Sequence, residues 1–263
     1  MKKPYFMDFD FFKMCVDSLE GTDCMVGVTG GEPILCPNFE QMCEYLRSKF
    51  PKKQLGLWTT FPKGYEHYRE IICNTFYHVF LNSHERSDIM HHPFLVSSRE
   101  VLKDDDKVWN SADGCQFQYS WSASLSPRGA FACEIMSSLS ILFDYGQGWK
   151  IEKGWWKRTP KDYKDQIETF CPLCGGCIPL RRRSSVERKT DISPGNYELL
   201  KGKIRNENSL VIHNLQMECD TRQLATYKDL EYREKIANRY GIFLLINEQQ
   251  FWTPYLRKNF NYD

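Results

Sequence analysis

Cys24-Met25-Val26-Gly27-Val28 is apolar for five residues and then breaks into Thr29-Gly30-Gly31-Glu32-Pro33. Gly21 and Asp23 precede the run, so it reads as a short strand that ends in a tight, glycine-rich turn. Upstream, Phe11, Phe12, Cys15, Val16 and Leu19 recur at helical spacing, which predicts a helix over 9–19. Downstream, Asn38 is placed to cap a helix that carries Phe39, Met42, Cys43, Leu46 and Phe50 on one face. Residues 55–59 then read as a second strand, 65–74 as a third helix and 77–81 as a third strand, and 94–97 offers a fourth.

Helices that alternate with short, continuously apolar strands imply parallel βα units with both sheet faces covered, an α/β class. The series opens on a helix, the pattern of a βα unit whose strand and loop are missing. Around residue 105 the alternation stops, and Asp104-Asp105-Asp106 leads into a region rich in Ser, Trp and Gly. The expected organisation is therefore an α/β core over 1–105, a cysteine-rich module over 106–185 and an α/β extension over 186–263. In the module, Phe117, Tyr119, Trp121, Ala123 and Leu125 alternate with polar or small residues, and Ser126-Pro127-Arg128-Gly129 has β-turn chemistry. A hairpin over 117–133 follows. The extension carries a helix near 226–240 and a strand at 242–246.

Eleven cysteines are many for a chain of 263 residues with no signal-peptide pattern at Met1-Lys2-Lys3, where Asp8 and Asp10 interrupt the aromatics. A reducing, cytoplasmic setting is expected, in which clustered thiols serve metal sooner than disulfides. Cys171-Pro-Leu-Cys174-Gly-Gly-Cys177 places three thiols within seven residues, and its two glycines let the backbone wrap closely around a bound centre. Such a set can ligate tetrahedral zinc or the corners of a [4Fe-4S] cube, and the spacing does not choose between them. The fourth ligand has to come from elsewhere, with Cys115 and Cys133, which bracket the hairpin, as the nearest choices. Cys15, Cys36, Cys43, Cys73 and Cys219 lie apart and read as small buried hydrophobes.

Thirty-five basic residues against 34 acidic ones leave a formal charge of +1, which gives no global attraction to nucleic acid or to an anionic membrane. The longest aliphatic run, Ile242 to Ile246, is far short of the roughly 20 residues a membrane helix needs. Arg181-Arg182-Arg183 reads as a solvated loop, His91-His92 before Pro93 as a loop rather than a ligand pair, and Trp149, Trp155 and Trp156 as packing.

Taken together, a strand ending in Gly30-Gly31-Glu32-Pro33, βα units after it and a cysteine-rich C-terminal region resemble the radical S-adenosylmethionine superfamily. That resemblance covers about residues 7–180. It implies a partial (β/α) barrel lacking its first strand, with Gly30, Gly31, Glu32 and Pro33 contacting the amino group of the cosubstrate's methionine moiety. It also implies a cosubstrate contact at Ser83 and another at Arg99, since both follow predicted strands. Cys115, Leu125-Ser-Pro-Arg-Gly129-Ala-Phe-Ala-Cys133 and Cys171-Pro-Leu-Cys174 are similar to the SPASM or shorter twitch extension, which holds auxiliary [4Fe-4S] clusters. By that likeness Cys115, Cys133, Cys171 and Cys174 are the ligands, and Cys177 is a substitute or spare. The family's Cys-x3-Cys-x2-Cys loop for the catalytic cluster occurs nowhere in the sequence. Without it no 5′-deoxyadenosyl radical forms; a misplaced start, a split gene whose separate subunit supplies that cluster, and true loss are the alternatives.

Three functions are therefore expected to compete. The first is a truncated or split radical enzyme acting on an unknown organic substrate, whether peptide, sugar or other small molecule. The second is a non-catalytic iron–sulfur or zinc module that serves as scaffold or partner subunit. The third is a plain globular domain with incidental cysteines.

Overall fold

The structure is a computed structural model, and it describes residues 6–82, 87, 90–115, 117, 123–159 and 161–216. The expected helix at 226–240, the strand at 242–246, and Ser83 and Cys219 lie outside the described residues. The chain divides into two compact units: the described parts of Tyr5–Ser83 with Glu152–Trp156, and those of His84–Ile151 with Lys157–Ala237. The division thus falls some twenty residues before 105, and residues 186–216 join the cysteine-rich unit rather than form an extension of their own.

The first unit opens with α1 (Phe9–Ser18), where the Asp8 carboxylate accepts from the backbone N–H groups of Asp10 and Phe11 and so satisfies two donors that a helix start leaves open. Its Phe12, Cys15 and Val16, three and four residues apart, are buried together. The chain continues through β1 (Val26–Val28), α2 (Phe39–Lys49), β2 (Leu55–Thr59), α3 (Arg69–Thr75) and β3 (His78–Leu81). The strands pair in parallel in the order β1-β2-β3, with Val28 opposite Leu57 and Trp58 opposite Phe80.

Period-two alternation splits the sheet into two faces. Val26, Leu55 and Leu57 pack with Phe12, Phe39, Met42, Cys43, Leu46 and Ile72 of the helices in one continuous core. The other face carries Gly27, Gly56, Trp58, His78 and Phe80, and the Trp58 and Phe80 rings stack at 4.3 Å. Gly27 is required there, since a methyl at this position would lie 2.5 Å from the Trp58 ring. Cys15 and Cys43 are buried within the core, as expected of isolated thiols, and burial pushes both up to about 12. Trp155 also belongs to this unit, its indole N–H donating to the Ser18 hydroxyl at 3.2 Å.

The second unit contains β4 (Met90–His91), α4 (Ser98–Leu102), α5 (Asp105–Asp113), the hairpin β5 (Ser124–Ser126) and β6 (Gly129–Phe131), α6 (Glu134–Phe143), α7 (Lys164–Phe170), β7 (Arg183–Ser184), β8 (Thr190–Ile192), α8 (Pro194–Leu200) and β9 (Leu210–Ile212). Two elements here differ from those expected. Residues 94–97 are not a strand but a loop running into α4, which Ser97 caps by accepting from the Glu100 N–H. The hairpin turns at Ser126–Gly129 as expected, but its first arm begins at Ser124, and Phe117 is helical.

Two-stranded ladders β4–β7, β5–β6 and β8–β9 complete the pairing, and among the described residues no sheet closes on itself. No helix among them is long and apolar enough to cross a membrane.

A cysteine-lined cavity as candidate cofactor site

Cys115, Cys133, Cys171, Cys174 and Cys177 all line one cavity of the second unit, about 350 Å³ of space between atoms that is partly open to solvent. Three separate pieces of chain bring them there. Cys115 follows α5, with its N–H bonded to the Ala112 carbonyl at 3.0 Å. Cys133 stands between β6 and α6, at the N-terminal boundary of that helix. α7 ends at Phe170, and Cys171-Pro172-Leu173 continues it as a single tighter turn that releases Cys174 into extended backbone. Phe117, Ile135, Met136, Leu139 and Phe170 fill the rest of the wall, so the thiols face an apolar enclosure.

The Cys171–Cys177 loop is tied down group by group. Ser98 donates to the Cys171 carbonyl at 2.8 Å, Ser97 to that of Pro172 at 2.8 Å, and the Asn196 amide to that of Leu173 at 2.8 Å. The Gly175 N–H donates to the Phe94 carbonyl at 3.1 Å, and Nε2 of His92 meets the Gly175 carbonyl at 2.7 Å. The main-chain carbonyls of Cys171, Pro172, Leu173 and Gly175 are thereby engaged, and the thiols are left to line the cavity. His92 thus tethers the thiol loop at the Gly175 carbonyl. Gly176 adds an N–H donor to the Cys174 sulfur at 3.2 Å, the kind of bond that stabilises a thiolate ligand.

Electrostatics define what such a cavity can hold. Burial first, and then the neighbouring thiols, push Cys171 and Cys174 well above the usual range. Burial raises Cys177 to about 11, with the Ser98 hydroxyl working the other way. Several thiolates cannot share this space on their own, whereas a bound cationic centre deprotonates its ligands outright. Thiols are the ligand type that iron and zinc centres take. Among the described residues, no three His, Cys, Asp or Glu converge as the ligand set of a single metal ion.

In the first unit the glycine turn after β1 lies at the carboxyl end of the parallel strands, the edge at which α/β sheets bind ligands. Gly30, at φ +153°, and Gly31 are exposed, and a methyl on either would meet nothing within 4 Å. Glu32 departs from the expected role. One carboxylate oxygen accepts from the Thr59 hydroxyl at 2.5 Å and the Ile34 N–H at 3.2 Å, the other from the Thr60 N–H at 2.7 Å and the Thr60 hydroxyl at 2.6 Å. A carboxylate has about four lone-pair sites, so none is left for an ammonium group. Glu32 instead staples the glycine turn to the end of β2, and Pro33 opens the short helical turn that follows.

Glu32→Ala is accordingly expected to lower the unfolding free energy by about 1–3 kcal/mol, because four donors lose their acceptor in a half-buried setting. Glu32→Gln, which keeps one acceptor oxygen, is expected to recover part of it. Urea unfolding measures both, and an unchanged midpoint for Glu32→Ala would refute the staple. Arg99, the other expected cosubstrate contact, lies on α4 of the second unit and pairs with Asp105 at 3.1 Å.

Comparison of the chain with protein-family models, with curated proteins and with solved structures gives no match. What defines the protein is therefore its own geometry: a parallel α/β unit with an open glycine turn, and a unit whose cavity is walled by five thiols.

Proposed function

We propose that the protein is a member of the radical S-adenosylmethionine group that carries an auxiliary [4Fe-4S] cluster in its second unit. The observation that carries this reading is the cavity lined by Cys115, Cys133, Cys171, Cys174 and Cys177, drawn from stretches up to sixty-two residues apart. Five thiols around one enclosure, with the loop that carries three of them tethered at five main-chain groups, support a built site over incidental burial. Four of the five would hold the cluster and the fifth would stand by. Such a cluster, when bound, supplies one-electron chemistry or a coordination site for an organic substrate.

The first unit supports the same reading at a coarser level. Its strands run in the order 1-2-3 with their helices packed on one face, as a sector of an incomplete (β/α) barrel requires. S-adenosylmethionine would lie over the carboxyl edge of β1 and take main-chain contacts from Gly30 and Gly31. Glu32 would keep that turn in place. The sequence holds no Cys-x3-Cys-x2-Cys, so the proposal assigns this chain cosubstrate docking and the auxiliary cluster, and leaves the catalytic cluster to another polypeptide segment.

The rival metal is zinc, as a structural centre of a non-catalytic module. A single zinc draws four ligands to within about 2.3 Å of one point, whereas a cube keeps them apart at its corners. Protein purified without oxygen and analysed for metal and acid-labile sulfide is expected to contain about four irons and four sulfides per chain. One zinc per chain without sulfide would replace the cluster by a structural metal. Five titratable thiols with neither metal would overturn both.

A further inference from the structure

A second concavity of the same unit lies against the cysteine cavity. It is an open groove of about 1060 Å³ between the Met90–Leu95 segment and the Arg182–Asp191 segment, and Phe117 lines both spaces. The partition is aromatic. The Phe94 and Phe117 rings meet edge to face at 5.2 Å, and a methyl on Gly176, a residue of the cavity wall, would lie 3.4 Å from the Phe94 ring. A molecule in the groove is therefore separated from the thiol cavity by little more than these two rings.

The charges around the groove are not equivalent. Arg183 is spent: its guanidinium holds Asp191 through two bonds, of 2.9 and 2.7 Å, and pairs with Glu187 at 2.5 Å. Asp191 and Glu187 share that one guanidinium, so the three groups together keep one negative charge. Lys189 donates to the Asn208 carbonyl but keeps a whole positive charge, since that partner is neutral. Arg182 is exposed and has no ion pair among the described residues, so its five N–H donors are open to a ligand. One free guanidinium fork and one ammonium, over two aromatic faces, make a monoanion site with an apolar floor. The carboxylate of Asp191 in the same lining disfavours a dianionic phosphate.

We infer that this groove binds an organic carboxylate with an apolar or aromatic body, its acid group on Arg182 and Lys189 and its body against Phe94 and Phe117. The occupant is the molecule presented to the centre in the cysteine cavity. That purpose rests on the cluster reading, whereas the binding does not.

The test uses the metal-loaded protein and three probes of one shape: 1-naphthylacetate, 1-naphthylmethanol and 1-naphthylmethylammonium. Calorimetry at fixed ionic strength is expected to rank the carboxylate at least tenfold above the other two. Arg182→Gln, an exposed substitution that leaves the core untouched, is expected to weaken the carboxylate about tenfold and leave the alcohol unchanged. Phe94→Leu is expected to weaken carboxylate and alcohol alike. Equal binding of the three probes, or an Arg182→Gln protein that retains its preference for the carboxylate, overturns the inference. Iron and sulfide are determined on the same samples. A colourless, iron-free protein that still selects the carboxylate refutes the cluster and spares the groove, while a fully loaded protein without selectivity does the reverse.

Discussion

The Cys171→Ala, Cys174→Ala double variant, purified without oxygen, is expected to be colourless and to lose essentially all of the parent's iron. The parent is expected to show the broad absorption near roughly 400 nm of a [4Fe-4S] centre. Removing both thiols is the decisive form of the experiment, because five cysteines line the cavity and four suffice. After a single substitution Cys177, three residues from Cys174 and six from Cys171, lines the same cavity and is able to step in. With two thiols gone, only Cys115, Cys133 and Cys177 are left, and a cube would lack a corner ligand.

The loss should reach beyond colour. Cluster binding is coupled to the fold that presents the ligands, so the second unit should melt earlier than in the loaded parent. The first unit, whose core contains neither residue, should keep its own transition. Cys24→Ala is the control, an exposed thiol at the edge of the other unit that should change nothing. A double variant as brown and iron-rich as the parent would sink the ligand assignment outright.

How much of this could be read from the residues alone varies with how locally each feature is encoded. Phe12, Cys15 and Val16, or Phe39, Met42, Cys43 and Leu46, announce their helices because one face is buried and the period is helical. Leu55-Gly-Leu-Trp-Thr59 announces its strand, and the structure begins and ends it at the same residues. Cysteine spacing identified the thiol loop, while the end of α5 brings Cys115 to it and the start of α6 brings Cys133.

What escaped reading depends on partners distant in sequence. Ser97-Ser98-Arg99-Glu100 carries a helix-start signature that was available for α4 but was overshadowed by the apolar run at 94–96. The role of His92 depends on a carbonyl 83 residues away, and that of Asn196 on Leu173, pairings no local pattern contains. Glu32 looked like a ligand acceptor because Thr59 and Thr60, which saturate it, come from the next strand. Arg183 looked like one of three equivalent arginines, and only the β7–β8 packing separates it from Arg182.

Gly175→Ala is expected to cost the second unit about 2–4 kcal/mol and to lower its iron content, although no ligand is touched. A methyl at Gly175 would stand 2.4 Å from the Pro93 carbonyl oxygen and 2.9 Å from that of Val96. Both obstacles are backbone, and the turn they belong to is closed by the Val96 N–H on the Pro93 carbonyl at 3.1 Å, so neither can swing aside as a side chain would. Relief requires the loop to back away, and doing so stretches the Gly175 N–H bond to Phe94 and the His92 bond to the Gly175 carbonyl. Overpacking of this kind costs about 1–3 kcal/mol, and the two stretched bonds, weakened rather than lost, add about 1 kcal/mol between them.

Gly176→Ala provides the comparison. Its added methyl would meet the Cys174 sulfur at 3.2 Å and the Phe94 ring at 3.4 Å, both of them side-chain atoms that can yield by a few tenths of an ångström. It should therefore cost less than about 1 kcal/mol in stability. Hydrogen exchange at Gly175, Val96 and the β2 amides reads both variants: protection should fall in the loop and hold at β2 for Gly175→Ala, and change little anywhere for Gly176→Ala. Equal stability and equal iron in the two variants would mean that the 92–98 segment does not hold the thiol loop, and the cavity would owe its shape to the metal instead.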